Sequence, residues 1–394
     1  MSQACPERIT QSRELAGLSK TELAERLNLS AAAITQWERG SKHPTAENLA
    51  ALAKILNFPM QLLMRPMPVE LTRKGPLSFR SWSSAATRRA NRKAKRLAEL
   101  VAEAFLWLDE QVSFPELVLP EIGDAPLDLE SIQEVAKQCR RMWGLGDRPI
   151  LKLGELLEAK GIVIGTTTFG DERFDAFSCI ISQRPFIFIG DDKKDRARAR
   201  FDSAHELGHL IFHQNLSEEE LLNREIHKRV ESEANLFAAA FLMPAEVFRL
   251  DAIDVSLNGF LKLKSKWATS VQAMVHWSYD LGLIGRAHYE ELFRQMSIKG
   301  WRRAQGEPLD EMVPNLCGSL GKRSLDILQN EGVLHNWEVP SALPLPLDVL
   351  CGVFQAQPSD FEPAPALRKI IPMNSDDETL GIAEEKDDLG GCVG

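Results

Sequence analysis

The stretch FDSAHELGHLIFH, Phe201 to His213, governs how the rest of the chain is read, and at its centre stands His205-Glu206-Leu207-Gly208-His209. In an α-helix the i,i+4 spacing of His205 and His209 stacks both imidazoles on one face, where neutral nitrogens hold one Zn²⁺. Glu206 lies one residue around the turn. From there its carboxylate reaches a water beside the metal without being a ligand, and takes the proton as the water attacks a peptide carbonyl. The competing reading is an amphipathic helix that happens to carry His, Glu and His. A catalytic zinc also needs a third protein ligand and an open fourth position, and a Glu from a following helix is a usual source.

Downstream, Val230 to Pro244 reads VESEANLFAAAFLMP, a strongly helical run that stops at the proline. Glu231 and Glu233 compete for the third ligand. Two residues apart on a helix they point roughly 200° apart, so only one faces the metal. Glu231 stands four before Asn235, whose amide is then placed to hold a zinc-bound His, and the small Ala234 and Ala238 leave room beside the zinc helix. This favours Glu231. His213, four beyond His209, reads as a group behind the ligands rather than a ligand, because the fourth position must stay open.

Taken together, HELGH and ESEANLFAAAFLMP resemble the ImmA/IrrE family of metallopeptidases, whose signature is HELGH followed by a Glu-rich, EAN-x-FA helix ending in LMP. The chain is also similar to the long members of that family, which carry an N-terminal helix-turn-helix of the XRE type, over roughly residues 7 to 335. The resemblance implies a zinc endopeptidase with a narrow protein substrate, commonly a repressor or antitoxin whose cleavage switches on stress, mobile-element or defence genes. The alternative is a DNA-binding regulator whose peptidase-like domain senses a ligand and cuts little or nothing.

The chain has 394 residues with 44% hydrophobic content, enough for two or three domains with proper cores. No apolar run approaches the length of a membrane span, and MSQACPERIT lacks the hydrophobic stretch of a signal peptide, so a cytoplasmic protein is expected. The six cysteines show no CxxC pairing, which argues against a disulfide framework or a thiolate zinc site. Charge is divided. Residues 1 to 98 hold 17 Lys and Arg against 7 Asp and Glu, a net of +10, which leaves −19 on the other 296 residues of a chain whose total is −9. Only the N-terminal part is built to meet polyanions.

Residues 7 to 64 read as four or five short helices. Ser19 and Glu22 form a capping box before Leu23, Ala24 and Leu27; Ser30 caps a helix with Ile34 and Trp37 facing inward; Pro44-Thr45 opens a third with Leu49, Leu52, Ala53 and Leu56. The stretch LSKTELAERLNLSAAAITQWERGSKHPTAENLAALAKIL is similar to XRE-type repressor domains, which dock the second helix of the motif in the major groove of double-stranded DNA. On that resemblance Thr35 and Gln36 read bases, while Lys20, Ser30 and Lys42 grip phosphate. The null alternative is a protein-protein module of the same fold, and Ala31, Ala32 and Ala33 offer few base-edge hydrogen bonds. Nine Lys and Arg with no acid follow between Leu71 and Ala98, either a solvated helix face or flanking phosphate contacts.

The expected fold class is mainly α with a small β-sheet. Residues 1–66 form an all-α helix-turn-helix domain, 67–126 a basic helical linker, 127–300 an α+β zincin-like metallopeptidase domain, 301–373 a helical C-terminal region and 374–394 an acidic disordered tail. Gly161 to Gly165 reads as a buried strand, and Ala176 to Ile181 with Pro185 to Ile189 as a hairpin, which either serves only to form core or offers 175–178 as an edge for pairing an extended substrate. Helices are expected at Asn315 to Leu328 and Leu347 to Phe354, with a loop from Pro340 to Pro346. A protein substrate, DNA and zinc are the expected partners, no membrane is, and a homodimer stays open.

Overall fold

The computed structural model describes residues 3–72, 85–122, 127–167, 176–190, 195–302, 306–316 and 318–363. The tail from 374 and the basic residues Arg73, Lys74 and Arg80 lie outside them.

The N-terminal helices are α1 (Pro6–Leu15), α2 (Lys20–Arg26), α3 (Ala31–Glu38), α4 (Ala46–Leu56), α5 (Met60–Met64) and α6 (Val69–Thr72). Their starts follow local chemistry. The Ser19 hydroxyl accepts from Glu22 N–H while the Glu22 carboxylate accepts from Ser19 N–H at 2.6 Å, and Ser30 and Thr45 cap α3 and α4 in the same way. Asn28, in the left-handed region at φ 54°, turns the chain between α2 and α3. Ile9, Leu23, Ile34, Trp37 and Leu52 close the core of this unit.

The next helix, α7 (Ala85–Asp109), has two halves with different work. Its C-terminal half buries Leu100, Val101, Ala104, Phe105 and Leu108. Its basic half meets the helix-turn-helix unit: Arg89 lies 3.8 Å from Glu22, Arg92 3.9 Å from Glu14, and Arg96 binds Glu14 and Glu99 at 2.8 Å each. These three cations are therefore paired with acids of the same chain, a use that neither sequence reading of the basic run contained. Deeper still, the Arg8 guanidinium of α1 grips both oxygens of Glu103 at 2.7 Å, and Gln11 donates to Glu99 at 3.1 Å. Arg8 and Glu103 are both buried, 95 residues apart.

Beyond α7 come α8 (Leu129–Met142), α9 (Leu153–Ala159) and three strands, β1 (Val163–Thr167), β2 (Ala176–Ile181) and β3 (Arg184–Gly190). The sheet order is β1-β3-β2, with β1 parallel and β2 antiparallel to β3, so β2 is an edge strand. Alternation sorts its faces. Phe177, Phe186 and Phe188 point toward α7, where Phe105 meets Phe186 edge-on at 6.2 Å, while Ala176, Ile187 and Ile189 join the second core. Against that second face pack α10 (Arg196–Phe212) and, through it, α12 (Arg224–Leu242), with the short α11 (Glu218–Leu222) between them in sequence. The helices α13 (Ala245–Asp251), α14 (Leu257–Trp267), α15 (Val271–Asp280) and α16 (Arg286–Ile298) complete this unit.

The C-terminal region holds α17 (Leu320–Asn330), α18 (Val339–Ala342) and α19 (Leu347–Phe354), and the last packs on α7 and β1. Two expectations are corrected here. The helix expected from 315 begins only at Leu320, because the buried Glu158 carboxylate takes the N–H groups of Ser319 and Leu320 at 2.8 and 3.1 Å and fixes the start there. The loop expected over 340–346 begins as helical turn α18, since Pro340 sits in the first turn where its missing N–H costs nothing. Fold class is as expected: mainly α with a small sheet. Among the described residues no helix is long and apolar enough to cross a membrane.

The Arg8–Glu103 pair yields a stability prediction. Arg8→Ala strands a buried carboxylate and should cost about 3–5 kcal/mol, whereas Arg8→Met combined with Glu103→Leu should recover most of the loss. Chemical denaturation of the three proteins measures both effects.

Candidate metal centre

The helix α10 is held at its start by two acids. Asp195 caps it by accepting from Arg198 N–H at 3.0 Å, and Asp310 accepts from the Arg196 and Ala197 N–H groups at 2.6 and 3.1 Å, carboxylates at the positive end of a helix. One turn on, the fully buried Arg200 donates to the carbonyls of Ile150, Leu151 and Ala268, which ties α10 to the segment before α9 and to the C-cap of α14. Its partner α12 starts at an Asn223 cap and stops at Pro244. The two helices touch at Gly208. A Cβ there would stand 3.2 Å from Ala234 Cα and 3.2 Å from the Phe237 ring, so the absence of a side chain sets how near α12 can come.

That approach brings His205, His209 and Glu231 together. One ligand atom from each lies within 4.8 Å of the others. The His205 and His209 Nε2 atoms are 2.9 Å apart, and the Glu231 oxygens stand 3.6 Å from the first and 3.4 Å from the second. A tetrahedral zinc with bonds of about 2.0–2.2 Å spaces its ligands by about 3.3–3.5 Å; the Glu231 contacts lie near that spacing and the two nitrogens are closer, so one ion is held once the imidazoles part by a few tenths of an ångström, with a fourth position left over. Two imidazole nitrogens and a carboxylate are also a donor set that suits zinc. Glu233 is not part of this cluster; its carboxylate meets His213 instead.

Comparison with known families covers this part of the chain. A family model of the IrrE N-terminal-like domain, Peptidase M78, matches residues 157–276, and a helix-turn-helix model matches residues 9–63. The chain carries both domains. No curated protein matches it.

Within the IrrE N-terminal-like domain, each imidazole is oriented from behind. His205 Nδ1 meets the Asn235 side-chain oxygen at 2.9 Å, so the assigned tautomer carries the proton on Nδ1 and leaves Nε2 bare. His209 Nδ1 meets His213 Nδ1 at 2.9 Å, and His213 Nε2 meets a Glu233 oxygen at 2.9 Å. With the His213 proton on Nε2 and donated to Glu233, His213 accepts at Nδ1 from His209, and His209 Nε2 is again bare. Burial first, and the neighbouring His209 second, push the His213 pKa down to about 3, in keeping with a neutral ring. Burial raises the Glu233 carboxyl above its ordinary value.

Glu206 is buried beside the cluster, and Ser178 Oγ donates to its Oε2 at 2.7 Å. The sequence reading counted Ser178 only within the candidate edge and missed its contact with Glu206. The available signal was a lone hydroxyl in the apolar strand AFSCII, at a position whose alternation sends it to the face that packs on α10. Asp175, the first residue of the expected edge, lies outside the described residues; 176–178 belong to β2, the edge strand.

The DNA-facing candidates sit apart from this centre, on α2, α3 and the turn after it. Thr35 and Gln36 are half-buried on α3, and Lys42 is exposed beyond it. The Thr35 hydroxyl donates back to Ala31 C=O at 3.0 Å. Ser30 serves as the α3 cap, and Lys20 lies 3.0 Å from Glu38, an acid that Arg13 also binds.

Metal affinity should rank the variants. Glu231→Ala removes a donor and should lower zinc affinity by more than a hundredfold, while Asn235→Ala and Glu233→Ala, which disturb only orientation, should each cost about tenfold to a hundredfold. Titration with a zinc-chelating dye reads all three, and a Glu233→Ala loss larger than that of Glu231→Ala would reverse their roles.

Proposed function

We propose that the chain is a zinc-dependent endopeptidase joined to a DNA-binding domain, cleaving one specific protein, a transcriptional repressor or antitoxin, in the cytoplasm. The observation that carries this reading is the His205, His209 and Glu231 cluster with the Glu206 carboxylate held beside it. A bound zinc would supply Lewis acidity at the scissile carbonyl and acidify water there.

The protein's own groups do the rest. Glu206 takes the proton from the attacking water and passes it to the leaving amine, with Ser178 fixing which carboxylate oxygen is turned away from the strand. Edge strand β2 offers its unshared side to an extended substrate, which positions the peptide along the centre by main-chain hydrogen bonds. Asn235 and the His213–Glu233 pair keep both ligand rings in register. In the N-terminal domain Thr35 and Gln36 read base edges, and Lys42, Lys20 and the Ser30 hydroxyl contact phosphate. Because Glu38 already offsets Lys20, Lys42 carries more of the phosphate attraction.

The first test is chemical. Glu206→Gln should keep its zinc and lose cleavage of protein products of adjacent genes by a factor on the order of 10²–10⁴. A variant with metal bound and cleavage intact would remove Glu206 from the role. The second separates the domains: Thr35→Ala with Gln36→Ala should weaken operator binding in gel-shift assays and leave cleavage in solution unchanged. Unaltered affinity and sequence preference would assign residues 9–63 to protein-protein contact instead.

A further inference from the structure

A cleft of about 660 Å³ opens from the metal centre, bordered by Glu231, Ser232 and Asn235 of α12 and, across from them, by the inner face of α15. Six acids and bases on its walls are accounted for. Asp195 caps α10; Asp202 lies 3.7 Å from Arg198; Glu307 takes the Lys264 ammonium at 2.8 Å and the Val271 N–H at 2.9 Å; Glu231 belongs to the histidine cluster; and Arg302 donates to Ser297 while its guanidinium lies 5.5 Å from the Phe293 ring centre.

Asp280 is the acid left over. Among the described residues it has no hydrogen bond or ion pair, although it is the last residue of α15, where the outward carbonyls already present negative charge. Its carboxylate reaches solvent at the cleft mouth, yet the surrounding walls strip enough water from it to push its pKa up to about 6. An acid held in this way raises the energy of the unliganded protein and is relieved by an incoming cation. Trp301 lines the same cleft, half-buried, and offers flat apolar surface beside it, while Trp277 behind it is fully buried in the core.

We propose that this cleft receives a basic side chain of the polypeptide substrate, arginine before lysine, with Asp280 as the group that reads it. A planar guanidinium pairs with both carboxylate oxygens at once and lies flat on the Trp301 ring, while an ammonium meets the carboxylate as a point charge. The identity of the ligand as part of a substrate rests on the peptidase reading; the existence of the site does not. Lys228 also borders the cleft, on the α12 turn before Glu231, and favours an acidic or carbonyl-rich segment alongside the arginine.

The experiment uses the full chain and three small probes: N-acetyl-arginine amide, N-acetyl-lysine amide and N-acetyl-glutamine amide, followed by tryptophan fluorescence. The arginine probe should bind saturably at about millimolar concentration, the lysine probe more weakly and the glutamine probe not at all. Asp280→Asn should weaken arginine binding at least tenfold, while Asp280→Glu retains most of it and shows that loss in the first variant is not misfolding. Equal binding of the arginine and glutamine probes, no saturable arginine binding, or indifference to Asp280→Asn would each overturn the proposal. Zinc-loaded protein given peptides with and without arginine separates the two readings. No cleavage at all with arginine binding intact fails the peptidase reading alone, and cleavage indifferent to arginine fails the cleft alone.

Discussion

The contact between Gly208 and Ala234 is the constraint on which the rest of the centre depends. Two helices approach closely only where side chains are absent or small, and here a glycine faces an alanine backbone so closely that one more carbon would fit only if the neighbours gave way by a few tenths of an ångström. The approach carries Glu231 to within 3.4–3.6 Å of two imidazole nitrogens on the other helix. Had α12 stood a side chain further out, Glu231 would fall short of the two imidazoles and Asn235 would miss His205. The glycine inside HELGH is thus as much a part of the arrangement as the histidines on either side of it.

Around that contact, charged groups are buried wherever a precise position is needed. Arg200 spends its guanidinium on three backbone carbonyls to lock α10, and Glu158 spends its carboxylate on three donors to lock the start of α17. Arg8 and Glu103 do the same between the helix-turn-helix unit and α7. Such groups add little net stability over apolar replacements, because desolvation offsets the attraction, but an unpaired one is costly, so each tolerates a single arrangement. The helix-turn-helix unit is consequently seated on α7, whose far half packs on the sheet that presents Ser178 to Glu206. A continuous packed body runs from one domain to the other.

What the sequence made legible was local. Helical spacing alone aligns His205 with His209 and Asn235 with Glu231, and capping residues mark the starts of α2, α3 and α4 within a residue. The legible part stops where partners are distant in sequence. No periodicity links Arg8 to Glu103, or Glu158 to Ser319 across 161 residues, and for that reason the basic half of α7 looked free and the start of α17 was misplaced. His213 stood out as a residue behind the ligands, but its connection to Glu233 needs the relative rotation of two helices. Glu233 accordingly read only as the rival third ligand, with no link to His213.

The central claim is that one zinc ion sits between His205, His209 and Glu231. X-ray absorption at the zinc edge of the purified full-length protein tests it without any substrate. The account predicts one zinc per chain, two histidine nitrogens at about 2.0–2.1 Å, oxygen donors at about 2.0–2.2 Å and no sulfur. Sulfur scattering at about 2.3 Å, or a zinc signal unchanged by replacing both histidines, would contradict it.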